Sequence, residues 1–299
     1  MSRNPLDLLV HSDADNPESI SLLITPESAG WEFCGLLVKQ LASGEQYDFD
    51  TGQDEVAVVL LGGNCQATVG GETFTLASRD SIFSGPPSAV YLPIDTSASI
   101  VAQGPTEIAL CSSRAQKSYP VMFIQPSDID VEIRGAGNAA RQINHIIKPA
   151  FAADSLLVVE VFTPSGNWSS YPPHKHDVSR MPIEANLEEI YYYRIHPNDG
   201  FAFQRLHTDD GSIDQPYIIR DGDALLIHEG YHAFAVAHGY TGYYLNILAG
   251  DEPLRTMQPF DDPRYGWVRS TWNAEMNEGL SSWQEIDDRI NGPAGKPPG

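Results

Sequence analysis

The chain has 299 residues, and its 40 acidic residues outnumber its 18 basic residues, so the formal net charge is −22 at pH 7. Binding to nucleic acid requires lysine and arginine side chains that neutralise phosphates, so this charge excludes a nucleic-acid-binding function and disfavours docking on an anionic membrane. Hydrophobic residues make up 41% of the chain, which is enough for a folded core.

The first predicted element is a polar, irregular N-terminal segment, residues 1–18. It contains no apolar signal core, and no later segment has about 18 uninterrupted apolar residues, so we expect a soluble, cytoplasmic protein with no membrane partner. The three cysteines are Cys34, Cys65 and Cys111. Because their number is odd and their spacing irregular, we expect buried, reduced thiols rather than disulfides or a cysteine-based zinc site.

Residues 19–122 are predicted to form a first β-domain. Short runs rich in β-branched and aromatic residues alternate with turns, among them GWEFCGLLVKQL, EVAVVLLGG, CQATVGGETFTL and SAVYLP. Gly62-Gly63 and Gly70-Gly71 lie where hairpin turns would fall, and the second pair separates ATV from ETF by the two residues of a tight hairpin. Strands this short favour a β-sandwich or β-barrel.

Residues 123–270 are predicted to form a second β-domain of similar size. Its strand-like runs include SLLVVEVFTPS, EEIYYYRIHP, FAFQRLHTDD, PYIIRDGDALLIH, HAFAVAHGY and GYYLNILAG. Two such modules predict an all-β protein with a duplicated architecture rather than a βαβ fold. Residues 271–299 are predicted to be a tail, with a helix in AEMNEGLSSWQEIDDRI and a disordered, Gly/Pro-rich end, NGPAGKPPG.

The histidines are concentrated in the second domain, because eight of the nine lie between His145 and His238. His174 and His176 are two residues apart, so in a strand both imidazoles project from one side. A barrel could bring this pair together with a glutamate of the Glu188-Glu189 strand and with a later histidine. Three imidazoles and one carboxylate form a mixed nitrogen and oxygen ligand set that suits Zn²⁺, Mn²⁺, Fe²⁺ or Ni²⁺.

These residues resemble the two motifs of the cupin superfamily, a family of jelly-roll β-barrels. The first motif, a glycine followed by His-x-His and a glutamate, is matched by Gly166, His174, His176 and Glu189. The second motif is matched by Gly222, Gly230 and His232. The sequence departs from the simple pattern in the long gap between His176 and Glu189, and in His228, which occupies the slot of a proline.

A more specific resemblance is to the 5-deoxy-glucuronate isomerases of myo-inositol catabolism, which are related to 4-deoxy-L-threo-5-hexosulose-uronate ketol-isomerase. It rests on SYPPHKHD, LEEIYYYRI, FQRLHTDDGS, DGDALLI and EGYHAFAVAHGYTGYYLNILAG, and it extends from about Val131 to Trp267. The resemblance implies two tandem cupin domains, with the metal in the C-terminal one. The implied ligands are His174, His176, Glu189 and His232, with His228 and His238 as alternatives for the last; the ion expected is zinc, with manganese, iron or nickel as alternatives.

The resemblance also implies a reaction, the conversion of 5-deoxy-D-glucuronate to 2-deoxy-5-keto-D-gluconate, in which a carbonyl moves from C1 to C2. A metal that binds the aldehyde oxygen and its neighbouring hydroxyl would stabilise an enediolate while a base moves the proton. A metal-assisted hydride shift is the alternative route.

Candidate residues for the base and for substrate binding come from strand geometry. Tyr191 and Tyr193 share the face of Glu189, and a symmetric hairpin through the loop 196–200 would turn Arg205 and His207 inward as well. A slip of one residue would instead turn those two side chains outward and bring Gln204 inward.

On this hypothesis the catalytic candidates are Tyr191 and His207, and the substrate-binding candidates are Arg205, Arg180 and Tyr193. Glu188 is a further candidate base. Arg205 suits a bidentate clamp on the substrate carboxylate, Arg180 would approach from a lid, and Asp177 would orient a ligand histidine.

Two other functions fit the same metal-ligand pattern. One is an iron-dependent cupin dioxygenase, and the other is a non-catalytic bicupin that binds sugar acids. Whichever holds, we expect a small sugar-acid partner, and a homo-oligomer, because long β-edges have to be covered.

Overall fold

The computed structural model describes residues 8–13 and 16–292, and these residues form mainly β-strands. The first ten strands are β1 (Leu9–Val10), β2 (Ile20–Ile24), β3 (Cys34–Leu41), β4 (Gln46–Asp50), β5 (Asp54–Val69), β6 (Glu72–Arg79), β7 (Ala89–Leu92), β8 (Ser97–Ala102), β9 (Thr106–Arg114) and β10 (Met122–Ile124). The others are β11 (Asp130–Arg134), β12 (Arg141–Ile147), β13 (Leu157–Thr163), β14 (Trp168–Lys175), β15 (Asp177–Arg180), β16 (Glu184–Asn186), β17 (Glu188–His196), β18 (Ala202–His207), β19 (Asp214–Ile219), β20 (Ala224–Ile227), β21 (Tyr231–Val236), β22 (Thr241–Ala249) and β23 (Phe260–Asp261). The two α-helices are α1 (Pro26–Ala29) and α2 (Trp283–Asn291).

The N-terminal barrel is built around the long strand β5. Its first half lies in a six-stranded path with the order β10-β7-β5-β9-β3-β2, and its second half pairs with β6 and β8, which extends the sheet to β4. The two halves face each other across an interior of aliphatic side chains, for example Val58, Leu60 and Ile100. The interior of this barrel is therefore apolar.

The two glycine pairs of the first domain have different roles. Gly70 and Gly71, with φ of 58° and 86°, form the turn between β5 and β6, which confirms the predicted hairpin. The predicted turn at Gly62-Gly63 is wrong, because β5 runs through it and bends between its two sets of partners. A side chain at position 63 would bring its Cβ to 2.2 Å from the Pro105 carbonyl oxygen, so only glycine fits this bend.

The C-terminal barrel consists of two facing sheets. The larger has the order β1-β20-β17-β22-β13-β12-β11, and the smaller has the order β19-β18-β21-β14-β23. Three predicted features need correction. The segment 1–18 is not wholly irregular, since β1 joins the C-terminal barrel, and the boundary at 122/123 falls inside β10, which belongs to the N-terminal sheet. The predicted hairpin between β17 and β18 is also wrong, because these strands lie in different sheets.

The long gap between His176 and Glu189 is occupied by a small hairpin. β15 and β16 pair only with each other among the described strands, outside the two larger sheets. This insertion explains why the sequence departs from the simple cupin spacing while the flanking strands β14 and β17 remain in place.

The two barrels pack through their larger sheets, so the molecule has four layers of strands. One hydrophobic cluster combines side chains from both, such as Val59 and Cys111 of the first barrel and Phe162 and Tyr243 of the second. A buried ion pair crosses this interface, with Arg79 Nη2 at 3.0 Å from Glu160 Oε1. The tight contact makes the first barrel a support for the sheet that carries part of the site.

Each barrel contributes one carboxylate that accepts hydrogen bonds from main-chain N–H groups of the other barrel. Glu55 of β5 accepts hydrogen bonds from the N–H groups of residues 154–156, at 2.6–2.8 Å. Glu188 of β17 accepts from the N–H groups of Glu32, Phe33 and Cys34, at 2.6, 2.8 and 2.9 Å. Hydrogen bonds to a carboxylate are stronger than neutral ones, so these contacts fix the barrels relative to each other.

The C-terminal segment packs back on the second barrel. The predicted helix is confirmed in its later part as α2, which begins at the N-cap Ser282, whereas Ala274–Asn277 forms a 3-10 turn. Most of the predicted disordered end lies outside the described residues. The three cysteines are free and buried, as predicted. No helix in the described part of the chain is long and apolar enough to span a membrane.

Candidate metal centre and active-site cavity

Three side chains from facing sheets converge inside the second barrel. His176 Nε2 lies 2.8 Å from Glu189 Oε2, and His232 Nε2 lies 3.3 Å from the same oxygen. Candidate ligand atoms of the three residues lie within 4.8 Å of one another. His174 falls outside this group, but it is directly opposite His232 in the β14–β21 pair, and the two ring centroids are 4.6 Å apart. The two smaller-sheet strands and β17 thus bring all four predicted ligands to one region.

Main-chain carbonyl groups orient the imidazoles. The Nδ1 atom of His176 lies 3.1 Å from the Leu187 carbonyl oxygen, and that of His232 lies 3.3 Å from the Gly230 carbonyl oxygen. A carbonyl oxygen can only accept, so each Nδ1 carries the proton and donates it. In the neutral form of each ring the lone pair is then on Nε2, which faces the cluster and is the atom that a metal ion would bind.

The donor set fits a divalent transition-metal ion. His232 Nε2 is buried, and its contact with Glu189 Oε2 at 3.3 Å does not have hydrogen-bond geometry, which is costly for a polar atom unless something else binds it. Burial would by itself raise the pKa of Glu189, but the His176 and His232 rings hold it at about 2, so this group is a carboxylate. Two imidazoles and a carboxylate, with a third imidazole beside them, match the ligands that such ions bind.

Burial and charge act in opposite ways on His174, in β14, and on His176, which directly follows that strand. Burial, together with the His232 and His176 rings, lowers the pKa of His174 well below its ordinary value, so its imidazole is neutral. Burial would also lower the pKa of His176, but the Glu189 carboxylate raises it. His174 is therefore available as a neutral donor at physiological pH.

The cluster opens into a cavity of about 230 Å³. Next to the ligands, Ser170 Oγ lies 2.9 Å from the Tyr191 hydroxyl and 3.2 Å from the Tyr244 hydroxyl, so the three form a hydrogen-bonded chain. Burial and the nearby Glu189 carboxylate raise the pKa of Tyr191 well above its ordinary value. Tyr191 therefore keeps its proton and is suited to donate a hydrogen bond rather than to act as a base.

A histidine and its carboxylate partner form another wall of the cavity. His145 projects inward from β12, and its Nε2 lies 3.0 Å from Glu132 Oε2. Hydrogen bonds from His145 and Arg134 outweigh burial and lower the pKa of Glu132 to about 2. The ionised Glu132 thus orients the His145 ring.

Three arginines also line this cavity, namely Arg134, Arg141 and Arg269. Arg134 and Arg141 are directly opposite each other in the β11–β12 pair. Two of them are paired with carboxylates, Arg134 with Glu132 and Arg269 with Asp261, so among the described residues Arg141 is the arginine of this wall whose charge is left unpaired.

Arg205 and His207 do not lie in this cavity, which corrects the predicted inward orientation. In β18 the inward side chain is the buried Gln204, and Arg205 instead forms a half-exposed ion pair with Asp214 at 2.8 Å. His207 is buried against Asp262, at 2.8 Å, and stacks on Tyr231. The hairpin hypothesis fails because β18 pairs with β19 and β21, so its inward residues are set by those strands.

The remaining predicted residues have other partners. Arg180 forms an ion pair with the buried Glu184 at 2.6 Å and stacks on Phe260, rather than reaching into the cavity. Tyr193 lies deeper in the barrel and stacks on Phe234.

Two acidic candidates also face away from the cluster. Glu188 points to the first barrel, as described above. Asp177 does not contact a ligand histidine; it accepts a hydrogen bond from the Gly230 N–H at 2.7 Å. It thereby holds the turn whose carbonyl group orients His232.

The sequence reasoning missed one wall of the cavity, formed by residues of β11, β12 and β22 and of the C-terminal segment. A usable signal was present in RQINHII, where Arg141, Ile143 and His145 alternate with Gln142 and Asn144. This alternation does not by itself indicate a site, because β12 precedes both cupin motifs and the sequence does not show that β11 and β13 are its neighbours. The missed residues are Glu132, Arg134, Arg141, His145, Tyr244, Asn246 and Arg269.

Comparison with known proteins agrees with this architecture. The family model described as KduI/IolB matches residues 8–268. The chain belongs to the KduI/IolB family. Among the relatives, a protein of Geobacillus kaustophilus named 5-deoxy-glucuronate isomerase is 43% identical over 263 residues, covering 87% of this chain and 95% of the relative. A Bacillus subtilis (strain 168) protein of the same name is 38% identical over 248 residues, covering 82% and 91%.

Solved structures show that this KduI/IolB member has the expected fold. An IolB-like protein from Salmonella typhimurium LT2 superposes with a TM-score of 0.84 at 37% identity, covering 88% of this chain and 99% of that one. An oxalate decarboxylase from Lactobacillus farciminis shares the fold at 12% identity, with a TM-score of 0.62 and coverage of 94% and 96%. The predicted all-β fold with tandem cupin domains is confirmed.

Proposed function

We propose that this protein is an aldose–ketose isomerase that converts 5-deoxy-D-glucuronate to 2-deoxy-5-keto-D-gluconate in myo-inositol catabolism. Its relatives carry the name 5-deoxy-glucuronate isomerase, and they are matched over most of their length. The observation that carries the proposal is the convergence of His176, Glu189 and His232 in a cavity whose walls also hold arginines. A metal-binding end and a cationic region suit a substrate with a carbonyl group at one end and a carboxylate at the other.

Zinc is the ion we propose, held by His174, His176, Glu189 and His232. A bound ion of this kind acts as a Lewis acid on the aldehyde oxygen and the neighbouring hydroxyl oxygen. The contribution of the protein is to hold the imidazoles with their Nε2 atoms inward, which the carbonyl groups of Leu187 and Gly230 do for His176 and His232. Manganese, iron and nickel are alternatives for the same donors.

His145 is our candidate for the group that moves the proton between C2 and C1. It lines the cavity, has an ionised carboxylate partner in Glu132, and is not one of the proposed metal ligands. His207, which the sequence suggested as a base, is instead hydrogen-bonded to Asp262, so His145 replaces it as the candidate. Tyr191 keeps a catalytic role as a hydrogen-bond donor to a substrate oxygen, through the chain that it forms with Ser170 and Tyr244.

The function is tested by incubating metal-loaded protein with 5-deoxy-D-glucuronate in D₂O and following the mixture by NMR. We expect the ketose acid to accumulate. If the enediol route operates and the transferred proton exchanges with solvent, the former aldehyde carbon (C1 of the substrate) carries deuterium. Protein carrying His176→Ala is the control for uncatalysed conversion. Absence of ketose would refute the isomerase function, and oxygen consumption by the iron-loaded protein would point to the dioxygenase instead.

We also propose that the protein is a cytoplasmic homo-oligomer. Support comes from the outer face of the smaller sheet, where Phe203 and Ile218 are directly paired across β18 and β19 and both are about half exposed. Apolar side chains grouped in this way are typical of protein–protein contacts. Light scattering after size-exclusion chromatography would give the mass in solution.

A further inference from the structure

Arg141 differs from the other arginines of the cavity because it has no carboxylate partner. Its side chain is buried, with 4% of the residue exposed. The guanidinium donates to the carbonyl oxygen of Ala139 at 3.0 Å, and no carboxylate of the described residues lies within 4 Å of it. By contrast, Arg134 is paired with Glu132, and Arg269 is paired with Asp261.

An unpaired buried guanidinium is an energetically unfavourable arrangement unless an anion completes it. Burial removes its hydration, and a main-chain carbonyl oxygen replaces only part of that interaction. Burial lowers the pKa of Arg141 to about 10, so the side chain still carries its charge at neutral pH. The guanidinium of Arg141 is therefore a cation at the cavity wall that is free to bind an anion.

Arg141 is also held in position. Its guanidinium lies over the ring of Trp272, 5.7 Å from the centroid, and its contact with Ala139 fixes the other side. A planar guanidinium that is oriented in this way presents parallel N–H groups, which match the two oxygens of a carboxylate.

We propose that Arg141 binds the carboxylate of the substrate, in the cavity that the candidate metal ligands also line. The proposal deepens the isomerase function and rests on it for the class of substrate, a short-chain sugar acid. Arg141 Nη1 contacts the Tyr171 carbonyl oxygen at 3.5 Å, and His174 follows three residues later in the same strand. Arg141 and His174 line the same cavity, so one short ligand can contact both side chains.

The first test uses the unmodified protein and one change in the ligand. Binding of D-glucuronate and of D-glucuronamide to metal-loaded protein is measured by isothermal titration calorimetry. The amide has nearly the same shape but no charge, so a charge-assisted pair with Arg141 predicts roughly 10- to 100-fold weaker binding of the amide. Equal affinities would overturn the proposal, and this result does not depend on any variant being folded.

The second test separates Arg141 from the other cations and from the metal. Arg141→Gln should lose most of the preference for D-glucuronate over D-glucuronamide and raise KM more than it lowers kcat, while Arg141→Lys should retain part of the preference. Arg205→Gln is the matched control, because Arg205 is paired with Asp214 outside the cavity, and it should bind like the unmodified protein. Near-ultraviolet circular dichroism and metal content establish that each variant is folded and loaded.

The two proposals fail in different ways. If the protein makes no ketose but prefers D-glucuronate in a manner that depends on Arg141, the carboxylate site stands and the isomerase function is wrong. If the protein makes ketose but Arg141→Gln keeps the full preference, the isomerase function stands and Arg141 is not the carboxylate site.

Discussion

The two barrels share one architecture but differ in what fills them. The interior of the first is aliphatic, with side chains such as Val58 and Leu60, whereas the interior of the second holds His176, Glu189 and His232. In the described part of the chain, the cluster of potential metal ligands is found in the second barrel. Two barrels of the same fold therefore differ in chemistry because a few inward side chains differ, and the fold alone does not determine function.

The first barrel nevertheless contributes to the structure of the second. It covers the outer face of the larger sheet, supplies Arg79 to the buried Glu160, and offers main-chain N–H groups to Glu188, the neighbour of the proposed ligand Glu189. The difference between the barrels thus separates a chemical role from a supporting role. Five predictions test that separation.

The largest effect is expected from His176→Ala. Removal of this imidazole should abolish stoichiometric metal binding and reduce kcat/KM by at least about 1000-fold, since the Lewis acid supplies several kcal/mol to the reaction. Metal content is measured by mass spectrometry and turnover by NMR. His196→Asn, at an exposed histidine between the barrels, is the control. Retained metal would show that the ligands are not those proposed, and His174→Ala tests the fourth donor in the same way.

A large loss of stability is expected from Arg79→Met. The substitution leaves Glu160 buried without its cation, which typically costs about 3–5 kcal/mol of unfolding free energy. Urea denaturation measures the change, and the double variant Arg79→Met/Glu160→Gln should recover part of it. A loss below about 1 kcal/mol would mean that the first barrel does not support the second through this pair.

The proton-transfer assignment is tested by His145→Gln. The variant should keep its metal, because His145 is not among the proposed ligands, but kcat should fall roughly 100-fold through loss of the general base. Tyr191→Phe, which removes only a hydroxyl donor, should have a smaller effect. Unchanged turnover in His145→Gln would show that His145 is not the base.

The second barrel is expected to lose stability in acid through Asp262. Its burial would raise its pKa, but Arg264 and His207 lower it from the ordinary 3.8 to about 2. Because the folded-state pKa is depressed, Asp262 stabilises the protein above about pH 4, by about 2 kcal/mol, and this contribution is lost as the pH falls from about 4 to about 2. Asp262→Asn should therefore destabilise the protein at pH 7 but not at pH 2, as measured by thermal unfolding. A constant difference across this range would contradict the assignment, and the exposed Asp251→Asn is the control.

The smallest effect is expected from Glu188→Gln. Its carboxylate accepts three N–H groups of the first barrel and so holds the strand that carries Glu189. Weakening these bonds should reduce metal affinity by about tenfold, as is common for groups that orient ligands. Glu55→Gln is a matched control, since Glu55 grips the main chain in the same way but far from any ligand in sequence. Equal metal affinities in both variants would show that the contacts of Glu188 with the first barrel do not orient Glu189.

The sequence predicted the fold class and the family, and three of its four candidate metal ligands, His176, Glu189 and His232, lie together in the structure. These predictions rest on local patterns, because side-chain alternation places His174 with His176, and Glu189 with Tyr191, on one face of a strand. The sequence did not indicate the residues that we propose for the substrate-binding cation and the base. Arg205 and His207 were favoured through a pairing between β17 and β18 that does not form, while Arg141 and His145, on a strand that precedes the motifs, were missed.

By itself, the sequence determined which residue types are available and which of them share a face of each strand, since alternation is a property of the extended chain. Only the tertiary structure decided which faces meet. The choice of partner strand is set by contacts between distant segments, and a shift of one residue exchanges the inward and outward sets. That is why the candidate metal ligands could be named from a motif, whereas the arginine that we propose for the carboxylate emerged only when β12 was placed in the cavity wall.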